Sequence, residues 1–195
     1  MTETPREVAV GPARDLLPPG TRSMMLIEPV CVTHDGFLIE VATHKPNPAL
    51  KRELDHFLHA LIASDDSPVK SSSDVLVITT CQESKAELLQ WDDEAAREKD
   101  RLLNTFARFA SDLAAKLKAL GYWADYADPA SGLLANSPGQ VIWPEVQAME
   151  RLRGFQKTKA GPCHIILHPK WGSRVYPATM FTNAPDEVVR RVLQL

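Results

Sequence analysis

The sequence predicts one domain that mixes strands and helices, of the α/β or α+β class, on three observations. From Asp92 to Leu120 the apolar residues form one helical stripe. Short apolar runs near 36–44, 74–81 and 163–168 read as strands. The two kinds of segment intermix along the chain without an internal repeat. At 195 residues the chain is long enough for one well-formed core.

Residues 1–23 carry Pro5, Pro12, Pro18 and Pro19 and no periodicity, which predicts a disordered or loosely draped arm ahead of a domain over 24–195. "GFLIEVATH" (36–44) reads as the first strand. In "NPALKRELDHFLHALI", Asn47 suits an N-cap and Pro48 the first helical position. Leu50, Leu54, Phe57, Leu58 and Leu61 then share one face. His56 and His59 fall on the opposite, solvated side. A polar loop (64–73) leads into "DVLVITTC", a buried strand.

The stripe of Leu102, Phe106, Phe109, Leu113, Leu117 and Leu120 predicts a helix of ~43 Å. Asp92, Asp93 and Glu94 suit its positive end, Lys116 and Lys118 its negative end, and Gly121 its termination. "YWADYA" alternates as a strand, and "DPASG" is turn chemistry. "PEVQAMERLRG" is a short helix with Pro144 first and Gly154 after its end. "CHIILH" and "RVYPATMFTN" read as strands linked by the turn around "PKWG", with Pro177 placing the second at an edge or bulge. "NAPDEVVRRVLQL" closes the chain as a helix capped by Asn183, with Val188, Val189 and Val192 inward.

Composition narrows the function classes. The chain is 44% hydrophobic and 24% charged, as a soluble globular protein is. A net charge of −3 argues against nucleic acid as partner. Three cysteines without a CxxC pair argue against a disulfide framework and for a reducing compartment. No apolar run reaches the ~20 residues of a membrane span. The acidic N-terminal stretch has no apolar core of a secretory signal and is too acidic for a transit peptide, so a cytoplasmic location is expected. GxG, HExxH and GxSxG are all absent, which removes the common nucleotide, metalloprotease and hydrolase signatures.

Two stretches hold chemistry. "AGPCHIILHPKWG" places Cys163 near His164 and His168. Strand alternation turns Cys163, Ile165 and Leu167 one way and His164, Ile166 and His168 the other. A zinc cluster within the strand is therefore geometrically poor, and His164 is no base for the thiol. Cys163 reads either as an inert buried thiol or, at the strand's mouth after Gly161 and Pro162, as an accessible soft ligand for a polarizable metal. "GYWADYADPASG" offers Tyr122, Trp123, Asp125, Asp128 and Gly132. It reads as a strand end and turn in which Asp128 or Ser131 bonds local backbone, or as a ligand contact. Trp171 reads as a core or interface anchor.

"LGYWADYADPASGL", "GPCHIILHPKWG" and "MFTNA", with "VITTCQESKAELLQWDDEAAREKDRLL" upstream, resemble the methylmalonic aciduria and homocystinuria type D protein family. Residues 36–63 resemble it more weakly. The resemblance implies an α+β, nitroreductase-like fold, a mixed sheet packed by long helices, that works without flavin. No arginine- and serine-rich N-terminal segment is present to hold a flavin phosphate.

The resemblance also implies a non-enzymatic adaptor of intracellular cobalamin metabolism. Such an adaptor docks on the cobalamin-processing type C protein and routes the cofactor toward methionine synthase in the cytosol or methylmalonyl-CoA mutase in mitochondria. Cobalamin stays on the partner, and a cysteine thiolate ligates its cobalt. Cys163 matches the second of two adjacent family cysteines, the first being Pro162 here. A single axial ligand needs no metal cage, and ligand exchange needs no acid–base pair. Trp143 is the expected aromatic contact for a partner. The alternative on the same scaffold is a flavin-dependent reductase.

Overall fold

The computed structural model describes residues 24–90, 92–161 and 163–195, with Cys163 described by its backbone alone. The expected arm over 1–23 and the Pro162 departure lie outside the described residues.

Five strands form one sheet in the order β1-β2-β3-β7-β4: β1 (Met24–His34), β2 (Phe37–Lys45), β3 (Leu76–Glu83), β4 (Ala124–Tyr126) and β7 (Val175–Thr182). Every pairing among these strands is antiparallel, where the resemblance implied a mixed sheet. The class is α+β. Both faces of the sheet are covered, because neighbouring residues of its central strands feed two different cores. On β3, Ile78 joins one core and Val77 the other; on β7, Met180 and Phe181 divide the same way. That explains why β3 is buried along nearly its whole length although its neighbours are antiparallel.

The first face packs against α3 (Asp93–Ala119) and α5 (Asp186–Leu193) through Phe106, Phe109, Leu113, Leu117 and Val189. Helix α3 runs ~40 Å. The Asp92 carboxylate accepts from the Ala95 amide at 2.8 Å, and Gly121 follows the helix at φ +87°, as its end requires. Leu120 leaves the stripe: it is the C-cap and is exposed. Helix α5 is not capped by Asn183. The Asn183 Oδ1 instead accepts from the Trp123 amide at 2.8 Å, and its Nδ2 donates to the Pro68 carbonyl at 3.0 Å. Pro185 occupies the cap position.

The second face is covered by α1 (Pro48–Phe57), α2 (His59–Ile62) and α4 (Glu145–Arg153). Asn47 caps α1 as expected, its Oδ1 accepting from the Leu50 amide at 2.9 Å. The predicted single helix breaks at Leu58. His56 and His59 are exposed.

Two strands had no sequence signal. Strand β1 carries Pro29 and register shifts, which its edge position tolerates. Strand β5 (Gln156–Ala160) is polar and mostly exposed, and pairs with β6 (Cys163–Leu167) in a separate two-stranded sheet. β6 therefore pairs backward with β5 rather than forward across the "PKWG" turn to β7. Pro177 lies in an interior strand, not an edge. Strand β4 reaches only Met180 to Thr182, so at Pro177 β7 is paired on the β3 side alone.

Candidate functional site

The aromatic turn motif divides into scaffold and groove wall. Trp123 is buried in the second core and its Nε1 donates to Ser137 Oγ at 3.1 Å. Tyr122 packs at the edge of the first core. Asp125 is fully buried and accepts from the Asn136 amide, Asn136 Nδ2 and the Tyr126 amide. Asp128 closes the turn by accepting from Ser131 Oγ at 2.7 Å and from the Ala130 and Ser131 amides. Gly132 sits at φ +74°, and a Cβ there would lie 2.6 Å from Ile142 Cγ2. Asp128 thus bonds the backbone of its own turn, whereas Tyr122 and Trp123 are fixed by core packing and, at the Trp123 amide, by Asn183.

Trp143 is not the expected partner contact. It is 3% exposed, wedged 5.1 Å from the Phe57 ring and 4.9 Å from that of Phe181. A large aromatic gains more from filling the core above α1 than from facing water. Its neighbour Ile142 is the exposed residue. Trp171 is half-buried and stacks on the His168 ring at 4.0 Å.

A polar cluster that no sequence spacing announced lies between the two sheets. Glu40 of β2, Cys81 of β3 and His168, just past β6, bring potential ligand atoms within 4.8 Å of one another. Their protons argue against a cation. His168 Nδ1 accepts from the Lys170 and Trp171 amides at 3.2 and 3.3 Å. Its Nε2, assigned from that network, then carries the proton and donates to Glu40 Oε1 at 3.3 Å. Arg153, nearly fully buried, ion-pairs with the same carboxylate. Burial pushes the Cys81 thiol up to about 12, despite Arg153 nearby. A cation would have to displace the guanidinium and remove two protons. The cluster is a tie: through Glu40 it fastens the end of β6 and the end of α4 to the main sheet.

Burial alone would raise the Glu40 carboxyl, but the hydrogen bonds from His168 and Arg153 outweigh it and hold the group at about 2. Phe155 stands edge-on to His168 and lies under Arg153, which completes the packing.

Beside this tie, two cavities adjoin. One of ~630 Å³ is mostly apolar and runs between β6 and β7, with Gly161, His164 and Ile165 on one wall and Leu88 and Leu89 on another. The other, ~380 Å³, lies under the 128–132 turn and is lined by Ile142, Trp143 and Glu145. Val146, Tyr176 and Pro177 form the wall they share. Cys163 opens β6 opposite Ala160, flanked in sequence by residues of the larger cavity. The Glu145 carboxyl, at the first turn of α4, belongs to a half-buried residue on this cavity's wall and is pushed up to about 7 by desolvation, against the hydrogen bond from Thr179.

Residues 35–193 match the family model described as "Methylmalonic aciduria and homocystinuria type D protein". The chain belongs to this family. The match takes in β2 and α1, where the sequence resemblance is weaker. Three curated relatives are each named "Cobalamin trafficking protein CblD". Those of Homo sapiens and Gallus gallus are 33% identical over 129 residues, and that of Mus musculus 32%. In each case the match covers 65% of this chain and 43% of the relative, so the chain spans well under two thirds of their length. Within the family chain, the turn motif and the strand of Cys163 border the paired cavities, whereas the Glu40 tie stands behind them. Among the described residues no helix is long and apolar enough to cross a membrane.

Proposed function

We propose that this chain is a non-enzymatic adaptor in intracellular cobalamin trafficking. Membership of the type D family carries the reading, and relatives named for cobalamin trafficking support it. In this reading the scaffold is of the nitroreductase-like type and works without flavin. The chain docks on the cobalamin-processing type C protein, ligates the partner-held cobalt through the Cys163 thiolate, and routes the cofactor to methionine synthase or methylmalonyl-CoA mutase.

The chemistry is consistent with the residues present. Thiolate is a soft donor suited to a polarizable metal. Cys81, the buried thiol held protonated, is a poor competitor for that role. The apolar cavity beside β6 offers a low-dielectric wall next to Cys163. Replacing the thiol by a hydroxyl exchanges a soft donor for a hard one.

Mixing the wild-type chain or Cys163→Ser with cobalamin-loaded type C protein and recording the visible spectrum tests the assignment. A cobalt–thiolate band with the wild type alone is expected. An equal band with both chains rules Cys163 out. Reconstitution with excess FMN followed by desalting tests the flavin-free part: near-stoichiometric retained flavin would support the reductase alternative.

A further inference from the structure

The mostly apolar cavity beside Cys163 is bounded by two strands that meet it edge-on. His164, Ile165 and Ile166 of β6 line it, and so do Val175, Tyr176 and Pro177 of β7. Successive side chains of a strand point to opposite faces, so three in a row reach one cavity only where it meets the strand's edge. Both edges lack a neighbouring strand among the described residues. β6 pairs with β5 alone. On β7, strand β4 stops at Tyr126 opposite Met180, and beyond it only the Ala127 amide continues the ladder, donating to the Thr179 carbonyl at 3.0 Å. That bond fixes which backbone groups face the open side. In an antiparallel ladder the bonding side alternates residue by residue. The amide and carbonyl of Val175 and the carbonyl of Pro177 therefore turn the same way as that of Thr179, away from β3. The Arg174 carbonyl has the opposite phase, accepting from the Ser84 amide beside β3 at 3.1 Å. Pro177 is tolerated in this strand because the N–H it lacks would point into the cavity and not at β3.

An open strand edge is a template for another strand, and an extended polypeptide supplies backbone donors and acceptors at the matching spacing. Inside the slot its side chains would meet Leu88, Leu89, Val146 and Ile165, which selects apolar residues. Charge sets the flank: Lys99 and His164 stand exposed on the wall, and no carboxylate lines it. Leu89 here and Ile142 at the adjoining cavity are large apolar side chains left exposed. The slot thus opens onto surface of the kind that a partner protein covers. We propose that it takes up an extended apolar segment of the partner protein, flanked by an acidic residue, which adds as a strand to the open edge of β7 at Val175 and Pro177. This inference rests on the cobalamin-adaptor reading and deepens it, since it says how the partner is held beside the strand that begins with Cys163.

Amide hydrogen exchange, read residue by residue on the full chain, tests this. In the complex with cobalamin-loaded type C protein the Val175 amide should exchange about tenfold or more slowly than in the free chain. The Tyr176 amide, which faces β3, should change by less than about twofold. That alternation marks an added strand. Equal slowing of both amides means a cover without pairing and overturns the inference. Slow exchange at Val175 already in the free chain overturns it as well: independent of concentration, it shows the slot filled by a segment of this chain, and growing with concentration, by a second copy. Lys99→Glu, at an exposed position of α3, should weaken partner binding about fivefold with an unchanged melting temperature, whereas Lys99→Arg should bind within about twofold of the wild type. Equal binding by the two variants contradicts the acidic flank. A cobalt–thiolate band without protection at Val175 sinks this inference and leaves the adaptor reading standing; failure of the complex to form removes both.

Discussion

Glu40 and Glu145 are both half-buried glutamates, and their surroundings drive them in opposite directions. Glu40 receives a guanidinium and an imidazole N–H and stays charged, at about 2. Glu145 receives one hydroxyl and is pushed up to about 7 by burial. The first is a joint whose hydrogen-bonding capacity is used within the fold. The second lies on a cavity wall. The number of charged hydrogen bonds a half-buried carboxyl receives therefore decides which way burial moves it.

The largest expected effect comes from breaking the joint. Arg153→Met leaves the Glu40 charge buried with only His168 as donor and should lower unfolding stability by about 3 kcal/mol. Adding Glu40→Gln removes the orphaned charge and should recover a large part of it. Chemical denaturation of the single and double variants measures this; a loss below about 1 kcal/mol for Arg153→Met would show that the pair is a surface contact, not a tie.

The two carboxyls should also give opposite pH slopes. The folded value of Glu145 lies above the ordinary 4.5, so the stability linked to its protonation is complete below pH 4.5. It is lost as pH rises through about 7, by roughly 3 kcal/mol at most. The folded value of Glu40 lies below 4.5, so its contribution is present above that pH and lost on acidification toward about 2. That loss is about 2 kcal/mol once screening by water is allowed for. Denaturation between pH 2 and 8 should show Glu145→Gln flattening the upper limb and Glu40→Gln the lower one. A single slope altered equally by both variants would contradict the contrast.

A smaller effect is expected at the cavity rim. Gly132→Ala introduces a Cβ at φ +74°, 2.6 Å from Ile142 Cγ2, and should cost about 1–2 kcal/mol. Ile142→Ala in the same chain should return the steric part and leave the backbone part. Full recovery would mean that the positive φ carries no strain there.

What the sequence made legible was local. The α3 stripe, its acidic start and the Asn47 cap are decided within one or two helical turns, and the structure has them in place. The Glu40 tie was not legible, because residues 40, 81, 153 and 168 meet only through the order of strands. Strand alternation did put His168 on the face of Ile166, and both are buried, but nothing in the spacing named Glu40 as the partner. Asn183 shows the converse: locally it suits a cap, and two long-range hydrogen bonds claim its side chain instead. Trp143 misled for a related reason. Its Pro- and Gly-rich surroundings read as surface loop, yet that loop folds over α1 and carries the indole into the core. Strand β5 gave no signal because a polar hairpin strand outside the main sheet has no apolar face to alternate.

In the proposed adaptor, the Cys163 sulfur must reach cobalt. Cobalt K-edge X-ray absorption of the complex between this chain and cobalamin-loaded type C protein reads that bond without relying on colour. A sulfur neighbour in the first coordination sphere with the wild type, replaced by oxygen or nitrogen with Cys163→Ser, is the predicted result. A sulfur neighbour that persists in Cys163→Ser, or none in the wild type although the complex elutes intact, would contradict it.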